Sequence, residues 1–400
     1  MKLRRFRSWW GPALCLPIFA SGAWAMRQQN FPPPPPLGSP LQGLSQQELQ
    51  QFNDGRNLFA RNARPTDGLG PVFNGVACAE CHHAGAPGGA SADLGVSRVT
   101  RIGAIVAGVY SDLTEYGGPL LQSRSLREFQ PGYPVPGEVV PSQAQFVAHR
   151  ITQPLFGDGL IEAIPDETII NLSHIPQPDG IQGEPNMVLN PETGNVEVGK
   201  FGWKAQISTL HWFASDALVN EIGITNPLFP TENLPQGHTI PPGADTVPDP
   251  EDRGQGVNAA TNFMRFLAPP ASSLGINVRG VQLFGSLHCA SCHTPTLQTG
   301  PSSSPALANK VVQLYSDLLL HHMGPALADH IEQGQASGDQ FRTAPLWGLT
   351  KRPFWLHDGR ANNVDAAIRL HGGEAAISAS RYIALSAKDR QNLLSFLAGL

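Results

Sequence analysis

Two pentapeptides constrain this chain more than any other feature: Cys289-Ala290-Ser291-Cys292-His293 and, about two hundred residues earlier, Cys78-Ala79-Glu80-Cys81-His82. Each reads C-x-x-C-H, the signal for covalent attachment of a c-type haem. The two thiols add across the vinyl groups of a porphyrin, and the adjoining histidine reaches the iron from one side. A zinc ribbon needs its C-x-x-C halves closer together than these. A thioredoxin-like redox pair needs no following histidine. Cys78, Cys81, Cys289 and Cys292 are therefore read as haem-binding, with His82 and His293 as the iron ligands.

The remaining cysteine, Cys15, falls in a segment with the marks of an export signal. Lys2 to Arg7 are basic, Trp9 to Ala20 are mostly apolar, and Ala23-Trp24-Ala25 forms an A-x-A cleavage site. Gly11, Pro12 and Pro17 make the apolar run too short and too broken to span a membrane. Residues 1–25 are expected to be a signal peptide and the mature protein periplasmic, which suits haem attachment outside the cytoplasm. Without those residues the net charge falls from -5 to about -9, so no nucleic acid partner is expected. Residues 26–43 contain five consecutive prolines and read as a stiff linker.

Order is expected from Leu44, where Ser45-Gln46-Gln47-Glu48 forms a capping box for a helix through Phe59. An internal repeat follows. Gly55-x-x-Leu58-Phe59 precedes the first haem motif and Gly280-x-x-Leu283-Phe284 the second, so two haem domains of one design are indicated. The first copy carries an insertion at roughly residues 61–74. The pattern predicts helices at 258–267, 311–320, 325–333, 364–371 and 387–398, and a helix broken at Pro165. Residues 176–198 read as loop or hairpin and 227–252 as a long polar loop. The expected fold is mainly α: two cytochrome-c-like haem domains, 44–268 and 269–400, with long loops and insertions.

Three further stretches carry a resemblance: Phe341 to Gly348, Leu356-His-Asp-Gly-Arg360, and Ala367 to Ala375. They resemble the C-terminal signature of the di-haem oxidoreductase family, related to bacterial di-haem cytochrome c peroxidases. Gly159 to Asp166, Gly199 to Ala205 and Tyr315 to Gly324 are similar to the same family. The resemblance implies an inter-domain pair of haems and a sixth ligand for the C-terminal iron fourteen residues after His357, which is His371 here. Met323 is the other residue open to that role. His357 itself is expected beside a haem propionate or a loop carbonyl.

For the N-terminal haem the resemblance implies a pocket that binds peroxide and an acidic group that moves protons. Glu162 is the first choice for that group, with Glu115 and Gln122 behind it. Glu162 also reads as an ordinary helix-end carboxylate. His149, His174 or His211 could instead close this haem. Trp203 and Trp212 stand either between the haems or in the core. The expected activity is reduction of peroxide, or another small oxidant, with electrons from a small redox protein. Two other readings stay open: a non-catalytic electron-transfer cytochrome, and an oxidase or oxygenase of an organic or protein substrate. The resemblance also implies calcium between the domains.

Overall fold

The computed structural model of the chain describes residues 35–95, 97–272 and 277–400. The expected signal at 1–25 and most of the proline run therefore lie outside the described residues. The helices are α1 (Gln46–Ala60), α2 (Cys78–Cys81), α3 (Asp158–Glu162), α4 (Asp166–Ser173) and α5 (Leu210–Ala217), then α6 (Gln255–Phe266), α7 (Val278–Ser286), α8 (Val364–Arg369), α9 (Ala376–Ile383) and α10 (Ala387–Leu397).

α1 starts at its capping box. The Glu48 amide donates to Ser45 Oγ at 3.2 Å, and the Ser45 amide donates to the Glu48 carboxylate at 2.7 Å. Its buried face of Phe52, Gly55 and Phe59 lies on α6. There the Phe52 and Phe59 rings meet Phe263 at 5.4 and 4.7 Å. A Cβ on Gly55 would collide with the Ala259 carbonyl and lie 2.9 Å from the Phe263 Cβ.

The second copy repeats this arrangement. α7 buries Gly280, Leu283 and Phe284 against α10, and a Cβ on Gly280 would lie 2.5 Å from the Asn392 carbonyl and strike Phe396. Both repeat glycines thus mark a helix crossing too close for any side chain.

The expectation of a mainly α chain is overturned. Of the described residues 32% are helical and 14% lie in strands or bridges. Arg98–Val106 is the centre of an antiparallel sheet with Val109–Ser111, Leu120–Leu121 and Phe146–Ile151. Short two-stranded pairs join Val72–Phe73 to Arg124–Ser125, Met187–Leu189 to Val196–Val198, and Leu320–His322 to Gln340–Arg342. With 42 glycines and 37 prolines the chain is broken too often for long helices.

Two predicted helices are replaced. Val311–Val312 pair with Leu297–Gln298, and the run beyond is irregular, with Tyr315 and Leu318 at φ 53° and 64°. Leu314, Leu318, Leu319 and Leu320 are all buried, so their run has no exposed face to reveal its period. Residues 325–327 form a turn and 328–332 run irregularly in place of the second helix.

Residues 35–400 form one compact unit. The largest core cluster joins Phe52 and Phe263 to Leu314, Leu318 and Trp347. A second cluster packs Phe284, Tyr382 and Phe396. A buried ionic knot joins distant parts of the chain: Asp329 meets Arg150 Nη2 at 2.6 Å and Lys204 Nζ at 3.4 Å.

The glycine crossing yields a test within one helix. Gly280→Ala should cost about 1–3 kcal/mol through overpacking. Gly285→Ala, which meets nothing within 4 Å, should be neutral or stabilise by up to about 1 kcal/mol. Denaturant unfolding of the two variants checks the opposite signs.

Candidate haem sites

The C-terminal motif opens onto a largely apolar cavity of about 1520 Å³, its mouth included. α7 leads into it through Leu287 and His288, the latter at φ 66°, and the turn Cys289–Ser291 brings both thiols and His293 to the wall. His293 Nδ1 donates to the Tyr315 carbonyl at 3.0 Å. His371, just beyond α8, also lines this cavity and donates from Nδ1 to the Ala367 carbonyl at 2.8 Å. A carbonyl can only accept, so each ring keeps its lone pair on Nε2, the nitrogen free for iron.

Burial pushes His293 down to about 3, helped by the neighbouring His371, and burial lowers His371 too. Both are neutral, as ligands must be. Burial also drives the Cys289 thiol up to about 12 and raises Cys292.

His321 sits beside this site with Nε2 2.9 Å from Asp317 and Nδ1 2.8 Å from Glu374. Two carboxylates on two ring nitrogens require an imidazolium. Burial alone would lower its pKa, but bonds to Asp317, Cys292 and Glu374 hold it well above its ordinary value. Glu374 also receives the His322 amide at 2.9 Å, which pins the loop after His371. Met323 lines the same cavity. His357 lines it as well, stacked on Phe341 at 4.3 Å and edge-on to Trp203 at 6.4 Å.

The N-terminal motif opens onto a second cavity, of about 1280 Å³. Phe59 of α1 meets the His82 ring edge-on at 6.0 Å, and Ala260 and Met264 of α6 form part of the wall. Burial pushes His82 down to about 4 and the thiols of Cys78 and Cys81 up to about 11 and about 12. Among the described residues no other imidazole lines this cavity.

Two carboxyls do. Burial raises Asp158 to about 7 against the opposing pull of Arg342. Burial also raises Glu221 to about 7, although it accepts a hydrogen bond from Asn74 Nδ2 at 2.9 Å.

The residues present fit a porphyrin at each cavity. Each has paired protonated thiols, a neutral imidazole and apolar walls. His82 Nδ1, Arg342 Nη1 and Arg352 Nε are buried in these walls without a partner. The cavities share a partition of Ile151, Thr152, Gln153, Pro154, Trp203 and Arg342. Trp203 Nε1 donates to the Ile151 carbonyl at 2.8 Å.

The three residues expected to move protons are not brought to His82. Glu162 is held by Arg265 at 2.7 Å and accepts from the Leu210 amide at 2.8 Å, outside the cavity wall. Gln122 is buried and donates to the Val219 carbonyl at 3.1 Å. Glu115 lies in the turn Thr114–Tyr116. His149, His174, His211 and Trp212 line neither cavity.

The cavity acids Asp158 and Glu221 were missed. For Glu221 a signal existed: Phe213, Ala214, Ala217, Leu218 and Glu221 follow helical spacing and share the cavity wall. A carboxylate at the end of an apolar stripe is out of place unless it does something. Asp158 has no such pattern around it.

Apart from the cavities, Glu232, Asp245, Asp249 and Glu251 bring carboxylate oxygens within 4.8 Å of one another. Oε1 of Glu232 and of Glu251 is buried without a partner. Burial, then Glu251, Asp249 and Asp245, raise Glu232 to about 9. Oxygen donors of this kind suit a hard cation such as calcium.

A protein built to hold two haems is the class these cavities define. The chain belongs to the family described as "Di-haem oxidoreductase, putative peroxidase", which it matches over residues 140–400. Hydrazine synthase of Kuenenia stuttgartiensis is similar in structure at 14% identity, over 98% of this chain and 100% of that one, with a TM-score of 0.41. The dihaem peroxidase BthA of Burkholderia thailandensis is similar at 15% identity, over 88% and 86%, with a TM-score of 0.41. A MauG-like protein associated with microbial copper homeostasis is similar at 16% identity, over 68% and 94%, with a TM-score of 0.33. These likenesses are remote, and no site assignment follows from them. No curated protein matches the chain.

The acidic cluster sets a pH test. A carboxyl with its folded pKa raised from 4.5 to about 9 weakens the fold as pH climbs through that interval. Glu232→Gln should therefore raise the thermal midpoint in calcium-free buffer at pH 8, with little effect at pH 4. Differential scanning calorimetry at both pH values decides it.

Proposed function

We propose that this chain is an exported, periplasmic di-haem peroxidase in which the two haems divide the work. Cys78 with Cys81, and Cys289 with Cys292, would hold their haems through thioethers, each thiol adding its sulfur and its proton across one vinyl group. When bound, each haem supplies an iron that exchanges one electron at a time.

One observation carries the division of labour. Of the neutral imidazoles in the C-terminal cavity, His293 and His371 have Nδ1 on a backbone carbonyl and Nε2 left available, while His357 is stacked on Phe341. Among the described residues the N-terminal cavity holds one imidazole, His82, with two protonatable carboxyls. His293 and His371 would both hold the C-terminal haem iron, a ligand set that suits electron entry from a small redox protein rather than substrate binding. His371 is preferred to Met323 because its ring is oriented by a backbone hydrogen bond. Histidine in place of methionine lowers a haem's potential.

At the N-terminal site peroxide is reduced to two waters, consuming two electrons and two protons. Glu221 is the proton carrier we favour, since Asn74 orients it, with Asp158 as the second carboxyl. Near pH 7 both can give and take protons. Trp203, in the shared partition, lies on the route for electrons. Calcium is assigned to the carboxylates of Glu232, Asp245, Asp249 and Glu251.

A second reading has one observation behind it: the Met264 thioether also lines the N-terminal cavity. Were Met264 to hold the N-terminal iron together with His82, peroxide would have no site there and the protein would be an electron carrier.

Pyridine haemochrome quantitation should find two c-type haems per chain; fewer would sink the central proposal. Electron paramagnetic resonance of the oxidised protein should show one low-spin bis-histidine haem, and His371→Ala should abolish that signal alone. Glu221→Gln should slow peroxide turnover on the order of 10²-fold at unchanged haem content. Two low-spin haems that ignore peroxide after reduction would establish the carrier instead.

A further inference from the structure

Arg342 ends the strand Gln340–Arg342 and is only 7% exposed. Its side chain lines both haem cavities. Nε donates to the Gly202 carbonyl at 3.0 Å and Nη2 to Gln153 Oε1 at 3.3 Å, while Nη1 is buried with no partner. Its backbone amide donates to the Trp203 carbonyl at 2.8 Å, which fixes the guanidinium to the partition itself.

Among the described residues the guanidinium has no ion pair. Asp158 and Asp317 are the carboxylates that act on it, and neither forms a salt bridge with it. A buried cation without a counter-ion is costly, and removal of its partner typically destabilises strongly. Arg150, its nearest analogue in the N-terminal cavity, is by contrast matched to Asp329 at 2.6 Å. Arg342 is therefore built for an anion that the described residues do not supply. The ionised substituents of haem are its propionate carboxylates, and a planar guanidinium pairs with carboxylates in bidentate fashion.

We infer that Arg342 is a positioning residue shared by both haems: one guanidinium, facing two cavities, compensates a propionate of each and ties their reduction potentials together. The inference rests on the assignment of one haem to each cavity. A fixed positive charge favours the reduced, less positive haem, so its loss should make both haems harder to reduce.

Spectroelectrochemical titration of the two-haem protein tests this. Arg342→Gln should shift the reduction equilibrium of each haem about tenfold toward the oxidised form, about 59 mV for one electron. Arg342→Lys keeps the charge but loses the fork, and should displace both haems in the same direction by less. A shift at one haem alone, or at neither, overturns the inference. Should Arg342→Gln not accumulate, Arg342→Lys is decided by the same criterion. Haem content separates the two levels of failure: a wild-type chain with fewer than two haems defeats the underlying assignment. Two haems whose potentials ignore both variants defeat only the role of Arg342.

Discussion

The close crossing of two helices at a glycine is the interaction on which both haem sites depend. α1 meets α6 at Gly55, and α7 meets α10 at Gly280. In each case the residue four positions on is phenylalanine, Phe59 or Phe284, and each of those rings lines a haem cavity. The crossing sets how deep the ring sits, and the ring closes one side of the cavity. A methyl group at either glycine would push the helices apart, so the cost would be felt in the shape of the site as well as in stability.

Burial then decides the chemistry each cavity can hold. It keeps His82 and His293 neutral and the cysteines of both motifs protonated, the forms that the proposed iron ligation and vinyl addition would require. The same burial holds Asp158 and Glu221 near pH 7, where a carboxyl can exchange protons rather than only carry charge. His321 escapes the trend because two carboxylates outweigh its burial. Desolvation sets the baseline of both sites, and specific partners create the exceptions.

Features written in local spacing were legible in the sequence, and features that need three dimensions were not. Both C-x-x-C-H motifs, the Ser45 capping box and the paired glycines announce themselves within a few residues. The buried run Leu314–Leu320 looked helical because apolar residues on every side erase the period that separates helix from strand. Glu162 was a reasonable acid until Arg265, 103 positions later, proved to be its partner. The sheet around Arg98–Val106 was missed for a similar reason. Its register with Phe146–Ile151 is set across a long intervening stretch rich in turns.

The partition between the cavities is built from non-helical pieces of the chain. Ile151 to Pro154 lie at the end of the strand Phe146–Ile151, Trp203 follows the hairpin Met187–Leu189/Val196–Val198, and Arg342 ends the strand that pairs with Leu320–His322. Three pieces of non-helical structure, each absent from a minimal cytochrome plan of crossed helices, therefore converge on one wall. Trp203 hydrogen-bonds Ile151, and Arg342 hydrogen-bonds Gly202 and the Trp203 carbonyl, so the wall is cross-linked by its own backbone. The helices provide two similar cavities; the added strands make the cavities unequal and hold them in a fixed relation. That is a physical reason for a di-haem protein to carry so much structure beyond its helices.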